Sequence, residues 1–245
     1  MNNDRIAKEQ LNVILLVDAS KSMQGKRMKQ VDEAIFDIKN YLLDLQNESS
    51  NVDFFMTIIP FQTEAYYYNN QRTIPIDEFD YNGIKAGGWS NLHLAYEKLG
   101  EILKKTEQGG IMPDFGGAAP IILLLTDGHP SSKEYVEKLS VIKKTPWFNQ
   151  ALRYGIAVEL DDDRTIKVLS DFVGQNGDVI TCYDSSKLKN IIKIIVITAS
   201  KVKSSNTKVS KNILSSVSGN LIQNQTVELK QEIADALGDI DSWEW

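Results

Sequence analysis

Two continuous apolar runs, each followed at once by an aspartate, constrain this chain more than any other feature. The first run, VILLV at 13–17, leads into Asp18, and the second, IILLLT at 121–126, leads into Asp127. Runs of this kind fit β-strands that are buried on both faces, as in a parallel sheet covered by helices. The ligand of such a sheet binds beyond the carboxyl ends of its strands. We therefore expect Asp18 and Asp127 to face one crevice.

Amphipathic helical patterns alternate with the apolar runs along the first 200 residues. We predict strands at 13–17, 51–62, 64–68, 121–126, 152–160 and 178–182, with 64–68 at an edge. We predict helices at 27–45, 92–105, 133–145, 163–172 and 185–200. This order predicts an α/β fold with a doubly wound, mostly parallel sheet and helices on both faces.

Composition and charge narrow the classes of function. The net charge of −6 argues against a nucleic-acid partner and against an anionic membrane surface. The N-terminal segment MNNDRIAKEQ lacks the apolar core of a signal peptide, and the apolar run at 191–199 is too short to cross a bilayer. Cys182 is the only cysteine, which excludes an intrachain disulfide framework and a cysteine zinc site. We expect a soluble, cytoplasmic protein.

Polar residues at the strand ends leave three interpretations open. Asp18, Ser20 and Ser22 place three oxygens on alternate residues of one loop, and Asp127 adds a second carboxylate. Such a set suits a hard cation, Mg²⁺ most naturally, with Mn²⁺ or Ca²⁺ as alternatives. Alternatively Asp18 is the nucleophile of a phosphoryl-transfer enzyme. In the third interpretation the serines cap the following helix and Asp127 only begins a turn.

The motif Asp18-Ala19-Ser20-Lys21-Ser22 resembles the D-x-S-x-S motif of the von Willebrand factor type A domain, a family known for a metal-ion-dependent adhesion site. Two further loops extend the resemblance, since Gly87-Gly88-Trp89-Ser90-Asn91-Leu92 is similar to the family's second loop and Thr126-Asp127-Gly128 to its third. Ser90 stands where the family has Thr and keeps its hydroxyl.

The resemblance implies a metal site and a function. The implied ligands are Asp18, Ser20, Ser22, Ser90 and Asp127. The implied fold has one antiparallel edge strand, and the usual role is metal-assisted protein binding without catalysis, in which the ion recruits an Asp or Glu of a partner protein. Within the family the chain looks most like the bacterial cytoplasmic branch of tellurium-resistance-type proteins. This branch implies a stress-response or defence system and a kinase or phosphatase as partner.

Other functions find less support in the sequence. A dehalogenase-type phosphatase would place a second aspartate at position 20, which is Ser20. The chain has only two histidines and lacks both a G-x-S-x-G elbow and a G-x-x-x-x-G-K-[ST] phosphate loop. A structural subunit with a vestigial metal site, which binds through its C-terminal tail, is the remaining alternative.

Domain limits and partner contacts complete the predictions. We expect a polar lead-in at 1–10, one domain at 11–200, and a C-terminal extension at 201–245 that is weakly ordered or docks on a partner. The candidate partner contacts are Lys21, Trp89, His129, Trp243 and Trp245. Lys21 and His129 are otherwise solvated rim residues, and Trp89 is otherwise a buried aromatic that shapes its loop.

Overall fold

A computed structural model describes residues 8–48, 52–115, 117–159, 162–175 and 177–182 of the chain. Within these ranges the structure has six strands and five α-helices. The strands are β1 (Glu9–Asp18), β2 (Val52–Phe61), β3 (Ile74–Pro75), β4 (Ile121–Thr126), β5 (Leu152–Val158) and β6 (Gly177–Cys182). The α-helices are α1 (Lys26–Glu48), α2 (Leu92–Ile102), α3 (Glu134–Ile142), α4 (Pro146–Gln150) and α5 (Asp163–Val173).

The strands form one sheet in the order β3-β2-β1-β4-β5-β6. All neighbours are parallel except β3, which pairs antiparallel with β2 at one edge. The chain builds outward from β1 in one direction and then returns to build outward from β4 in the other. The strand order therefore reverses between β1 and β4, and a crevice opens at their carboxyl ends. This topology confirms the predicted fold class.

Alternate residues of β1 enter two separate cores. Val13, Leu15 and Val17 pack on the face covered by α1, whereas Ile14 and Leu16 pack on the face covered by α2, α3, α4 and α5. All five of these side chains are fully buried. Burial on both faces explains why β1 reads as an unbroken apolar run, and it fixes the strand on which Asp18 stands.

The predicted strand at 64–68 is wrong. Only Ala65 of this segment forms a bridge, an antiparallel one to Phe61, and the antiparallel edge strand lies later, at Ile74–Pro75. The tyrosines serve tertiary contacts instead. Tyr68 begins a 3-10 turn and packs its ring 5.2 Å from that of Tyr81. Side-chain packing here overrides the strand preference of aromatic residues.

The other predicted elements that fall on described residues are found, with small shifts at their ends. The structure adds the short helix α4, which is absent from the elements predicted above. None of the helices in the described ranges is long and apolar enough to span a bilayer. The predicted helix at 185–200, the extension at 201–245, Trp243 and Trp245 lie outside the described residues.

Candidate metal site

Asp18 is the centre of the candidate site. Its side chain stands at the end of β1 and is fully buried. Oδ1 accepts a hydrogen bond from the backbone N–H of Ser20 at 2.9 Å. Oδ2 accepts from the hydroxyls of Ser90 at 2.9 Å and Thr126 at 2.7 Å. The Asp18 carboxylate thus connects the loop after β1, the loop that contains Ser90 and the end of β4.

Ser22 and Asp127 form the outer half of the site. The Ser22 hydroxyl donates to Asp127 Oδ1 at 2.8 Å, and the Ser20 and Ser22 hydroxyl oxygens lie 3.1 Å apart. Ser20 and Asp127 are buried, whereas Ser22 is exposed, so the set opens to solvent on the side of Ser22. The structure therefore brings together all five side chains that the sequence singled out.

Backbone hydrogen bonds hold the second loop against the first. Gly87 N–H donates to the carbonyl of Ala19 at 2.7 Å, and Lys21 N–H donates to the carbonyl of Gly88 at 3.1 Å. Gly88 has a φ of +75°, and a Cβ placed there would lie 2.3 Å from Thr63 Oγ1. The chain needs glycine at this position because both the backbone angle and the available space exclude a side chain.

Burial dominates the electrostatics of Asp18. Desolvation raises the pKa of this carboxyl, although hydrogen bonds from Thr126, Ser20 and Ser90 act in the opposite direction. No ion pair to Asp18 occurs among the described residues. A buried carboxylate without a cationic partner is unfavourable, and a nearby cation would favour its charged form.

The oxygen atoms around Asp18 fit a divalent cation, since such an ion would balance the buried negative charge. The Ser22 and Ser90 hydroxyls donate their hydrogens to carboxylates, which leaves at least one oxygen lone pair on each free to face an ion, although Ser22 also accepts from the Ser20 hydroxyl. Two carboxylates and three hydroxyls are the oxygen ligands that Mg²⁺ prefers, with waters or a partner completing the shell. In the described part of the chain no cluster of three or more His, Cys, Asp or Glu side chains is arranged to hold a metal, so these hydroxyls are essential to the fit.

Three of the predicted partner contacts lie on the loops of the site and are exposed. Lys21 is exposed, and the Trp89 side chain is 69% exposed, which decides against a buried aromatic at that position. The Trp89 backbone is nevertheless held, since its N–H donates to Thr63 Oγ1 at 3.3 Å. His129 Nε2 lies 2.7 Å from Asp162 Oδ1, and this contact lowers the pKa of Asp162, the N-cap of α5.

Sequence reasoning missed two residues of the site, Thr126 and Arg27. Thr126 binds Asp18 directly, and its position immediately before Asp127 in the quoted third loop could have identified it. Arg27 Nη1 donates to Asp127 Oδ2 at 2.5 Å. No local pattern predicts this contact, because the two residues are 100 positions apart.

The fold and the site together define a class of protein, a doubly wound α/β domain with a D-x-S-x-S loop at its topological switch point. Comparison with family models agrees with this class. Residues 12–194 match the model of the von Willebrand factor type A domain, and the chain belongs to this family. The family generally mediates protein–protein interactions.

Curated relatives with a similar sequence include inter-alpha-trypsin inhibitor heavy chains. The chain is 32% identical over 130 residues to heavy chain H4 of Bos taurus and 27% identical over 121 residues to heavy chain H1 of Sus scrofa. These alignments cover 50% and 49% of this chain but 13% of each relative. The chain therefore spans about an eighth of the length of the relatives it matches. They do not test the tellurium-resistance branch, which remains a prediction.

Solved structures share the fold at low sequence identity. Proximal thread matrix protein 1 from the mussel byssus has a TM-score of 0.54 at 17% identity, covering 77% of this chain and 48% of that one. The pilus adhesin SpaC from Lactobacillus rhamnosus GG has a TM-score of 0.50 at 13% identity, covering 79% and 30%. At such identities the likeness shows the fold alone.

Proposed function

We propose that this domain holds a divalent cation, Mg²⁺ in the first place, and uses it to recruit an acidic side chain of a partner protein. The proposed ligands are Asp18, Ser20, Ser22, Ser90 and Asp127. The observation that carries the proposal is the joining of these five side chains from three loops into one set around a buried carboxylate that lacks a counter-charge.

The bound ion would supply an electrophilic centre for a carboxylate ligand. The protein's own residues would position the ion and leave it accessible to the partner. Hydrogen bonds from the backbone and the hydroxyls hold Asp18 in place, and the exposure of Ser22 leaves one side of the set open to a partner. Three of the five proposed ligands are neutral hydroxyls, so the ion would stay electrophilic enough to attract a further carboxylate from outside.

The surface beside the opening suits an acidic partner. Lys21 is exposed within the first loop and offers a positive charge. Trp89 presents an exposed ring on a backbone that is held in place. Exposed aromatic residues next to a polar anchor are typical energetic centres of protein interfaces. Trp89 is therefore the proposed apolar contact, with Lys21 and His129 at the rim.

Asp18 is poorly placed to act as a nucleophile. Both of its oxygens accept hydrogen bonds, and its side chain has no exposed surface. A nucleophilic carboxylate must reach the electrophilic atom of a substrate, and a substrate is larger than a bare ion and has no access to this buried side chain. We therefore propose a binding function without catalysis. The placement in the cytoplasm, in a bacterial stress-response or defence system with a kinase or phosphatase as partner, is proposed from the resemblance alone.

Affinity capture tests this function. The wild-type chain is immobilised beside the double variant Ser20→Ala/Ser22→Ala and the single variant Trp89→Ala, and extract of the source organism is applied in Mg²⁺ or in EDTA. We expect a protein retained on wild type in Mg²⁺, released by EDTA, absent from the double variant and reduced on Trp89→Ala. The wild-type chain without its partner should not hydrolyse a generic phosphate ester.

Two results would contradict the proposal. Metal-dependent turnover that Asp18→Asn abolishes would make the chain an enzyme. Capture that survives both EDTA and the double serine variant, but is lost on deletion of 201–245, would assign binding to the tail and leave the metal site vestigial.

A further inference from the structure

An arginine lies against the outer carboxylate of the candidate metal site. Arg27 Nη1 contacts Asp127 Oδ2 at 2.5 Å and also donates to the carbonyl of Ser22 at 3.2 Å. The Asp127 side chain is fully buried, and that of Arg27 is 30% exposed. The same carboxylate accepts the Ser22 hydroxyl on its other oxygen. Asp127 thus contacts both a positively charged side chain, that of Arg27, and another proposed metal ligand, Ser22.

A second acidic residue holds the other edge of the guanidinium. Arg27 Nε donates to Glu159 Oε2 at 3.3 Å, and Lys26 Nζ lies 3.0 Å from Glu159 Oε1. Glu159 follows β5 with a φ of +55°, in the left-handed region that disfavours residues with a side chain. Its backbone N–H donates to the carbonyl of Cys182 at 2.7 Å, which holds this turn in place. The acceptor for Arg27 is therefore fixed by the sheet.

We infer that Arg27 tunes the metal site by neutralising Asp127, so that the site binds its cation more weakly and leaves it more attractive to a partner carboxylate. This inference rests on the proposed function. Its basis is the charge balance, because Arg27 offsets the Asp127 charge and leaves Asp18 as the single unpaired carboxylate of the set. A fixed positive charge a few ångströms from a divalent cation lowers the affinity for that cation.

The alternative role for Arg27 is to hold Asp127 in the orientation that the metal needs. The two roles predict opposite results. If Arg27 neutralises Asp127, its removal strengthens metal binding. If Arg27 only orients Asp127, its removal leaves metal affinity unchanged or weakens it.

Calorimetric titration with Mn²⁺ separates these roles. The proteins are wild type, Arg27→Gln and Lys26→Gln, each stripped of metal. Lys26→Gln is the matched control, since it removes the same charge from the neighbouring residue, whose side chain contacts Glu159 but not Asp127. We expect Arg27→Gln to bind Mn²⁺ about tenfold more tightly than wild type, and Lys26→Gln to stay within about twofold.

Thermal unfolding gives a second readout. Metal-free Arg27→Gln should melt below wild type, because Asp127 is then buried without its cation. Mn²⁺ should raise the melting temperature of Arg27→Gln more than that of wild type, since a more tightly bound ligand stabilises the folded state more.

Tighter binding by Arg27→Gln than by wild type, with Lys26→Gln unchanged, would support the inference. Unchanged or weaker binding by Arg27→Gln, with wild type binding normally, would overturn it and leave the proposed function intact. Absence of binding to wild type and Arg27→Gln alike would overturn the proposed function and the inference together.

A measurement on wild type covers the case in which Arg27→Gln does not fold. The Nε–H resonance of Arg27 is followed by NMR as diamagnetic Mg²⁺ is added. We expect it to shift with the same midpoint as a calorimetric titration of wild type with Mg²⁺. A resonance that does not move while the protein binds Mg²⁺ would overturn the inference.

Discussion

The hydroxyl of Thr126 donates a hydrogen bond to Oδ2 of Asp18 across 2.7 Å, although 108 positions separate the two residues. This contact joins the ends of β4 and β1 at the point where the strand order reverses. The buried carboxylate of Asp18 therefore holds the carboxyl ends of the two central strands together, in addition to its proposed role as a metal ligand.

Thr126→Val tests the structural share of this contact. The variant keeps the shape of the side chain and removes the donor, so we expect a loss of about 1–3 kcal/mol in the free energy of unfolding. Thr126→Ser retains the hydroxyl and should lose less. Urea denaturation of the metal-free proteins measures both. A Thr126→Val variant as stable as wild type, with the loss confined to Thr126→Ser, would mean that the methyl group and not the hydrogen bond stabilises this contact.

Gly88→Ala tests the attachment of the second loop. Gly88 has a left-handed φ, and an alanine Cβ there would lie 2.3 Å from Thr63 Oγ1. We therefore expect Gly88→Ala to lower the free energy of unfolding by about 1–3 kcal/mol. Gly128→Ala is the matched control, because a Cβ there meets nothing within 4 Å and the φ of Gly128 is not left-handed. It should change stability by less than about 0.5 kcal/mol. Similar thermal midpoints for the two variants would contradict the argument.

Glu159 predicts a pH dependence of stability. A hydrogen bond from Lys26 is the main factor that lowers its pKa from the ordinary value of 4.5 in the folded state, with a further contribution from Arg27. Because the folded pKa is lower than the unfolded one, ionised Glu159 stabilises the protein above pH 4.5, and this contribution disappears as the pH falls through the folded pKa.

Glu159→Gln should therefore be less stable than wild type at pH 7, by about 0.5–1 kcal/mol because the Lys26 side chain is largely exposed. The two proteins should converge as the pH falls from 4.5 through the folded pKa of Glu159. Urea denaturation at several pH values measures the difference. A difference that does not shrink as the pH falls below 4.5 would show that the ion pairs of Glu159 are not its cause.

The sequence predicted the centre of the site because that information is local. A run of apolar residues identifies a buried strand in the sequence. Asp18, Ser20 and Ser22 come directly after the first such run. The switch point follows from the alternation of strands and helices, which requires a covered parallel sheet.

The missed features depend on distant parts of the chain. The edge strand β3 has two residues, too few to show any periodicity, and the tyrosines at 66–68 imitate a strand while they pack elsewhere. Arg27 reads from the sequence as one more polar residue at the start of α1. Arg27 reaches Asp127 because β4 pairs with β1 in the sheet, which brings the segments after the two strands together.

The proposed cation site is tested by the metal binding of wild type and of the double variant Ser20→Ala/Ser22→Ala. Both proteins are stripped of metal and titrated with Mg²⁺ and Mn²⁺ by calorimetry, and circular dichroism verifies that the variant keeps its fold. The proposed site predicts uptake of a cation by wild type and none, or binding weakened by more than about tenfold, by the variant. Equal affinity of the two proteins, or no uptake by wild type, would contradict the assignment of these oxygens as metal ligands.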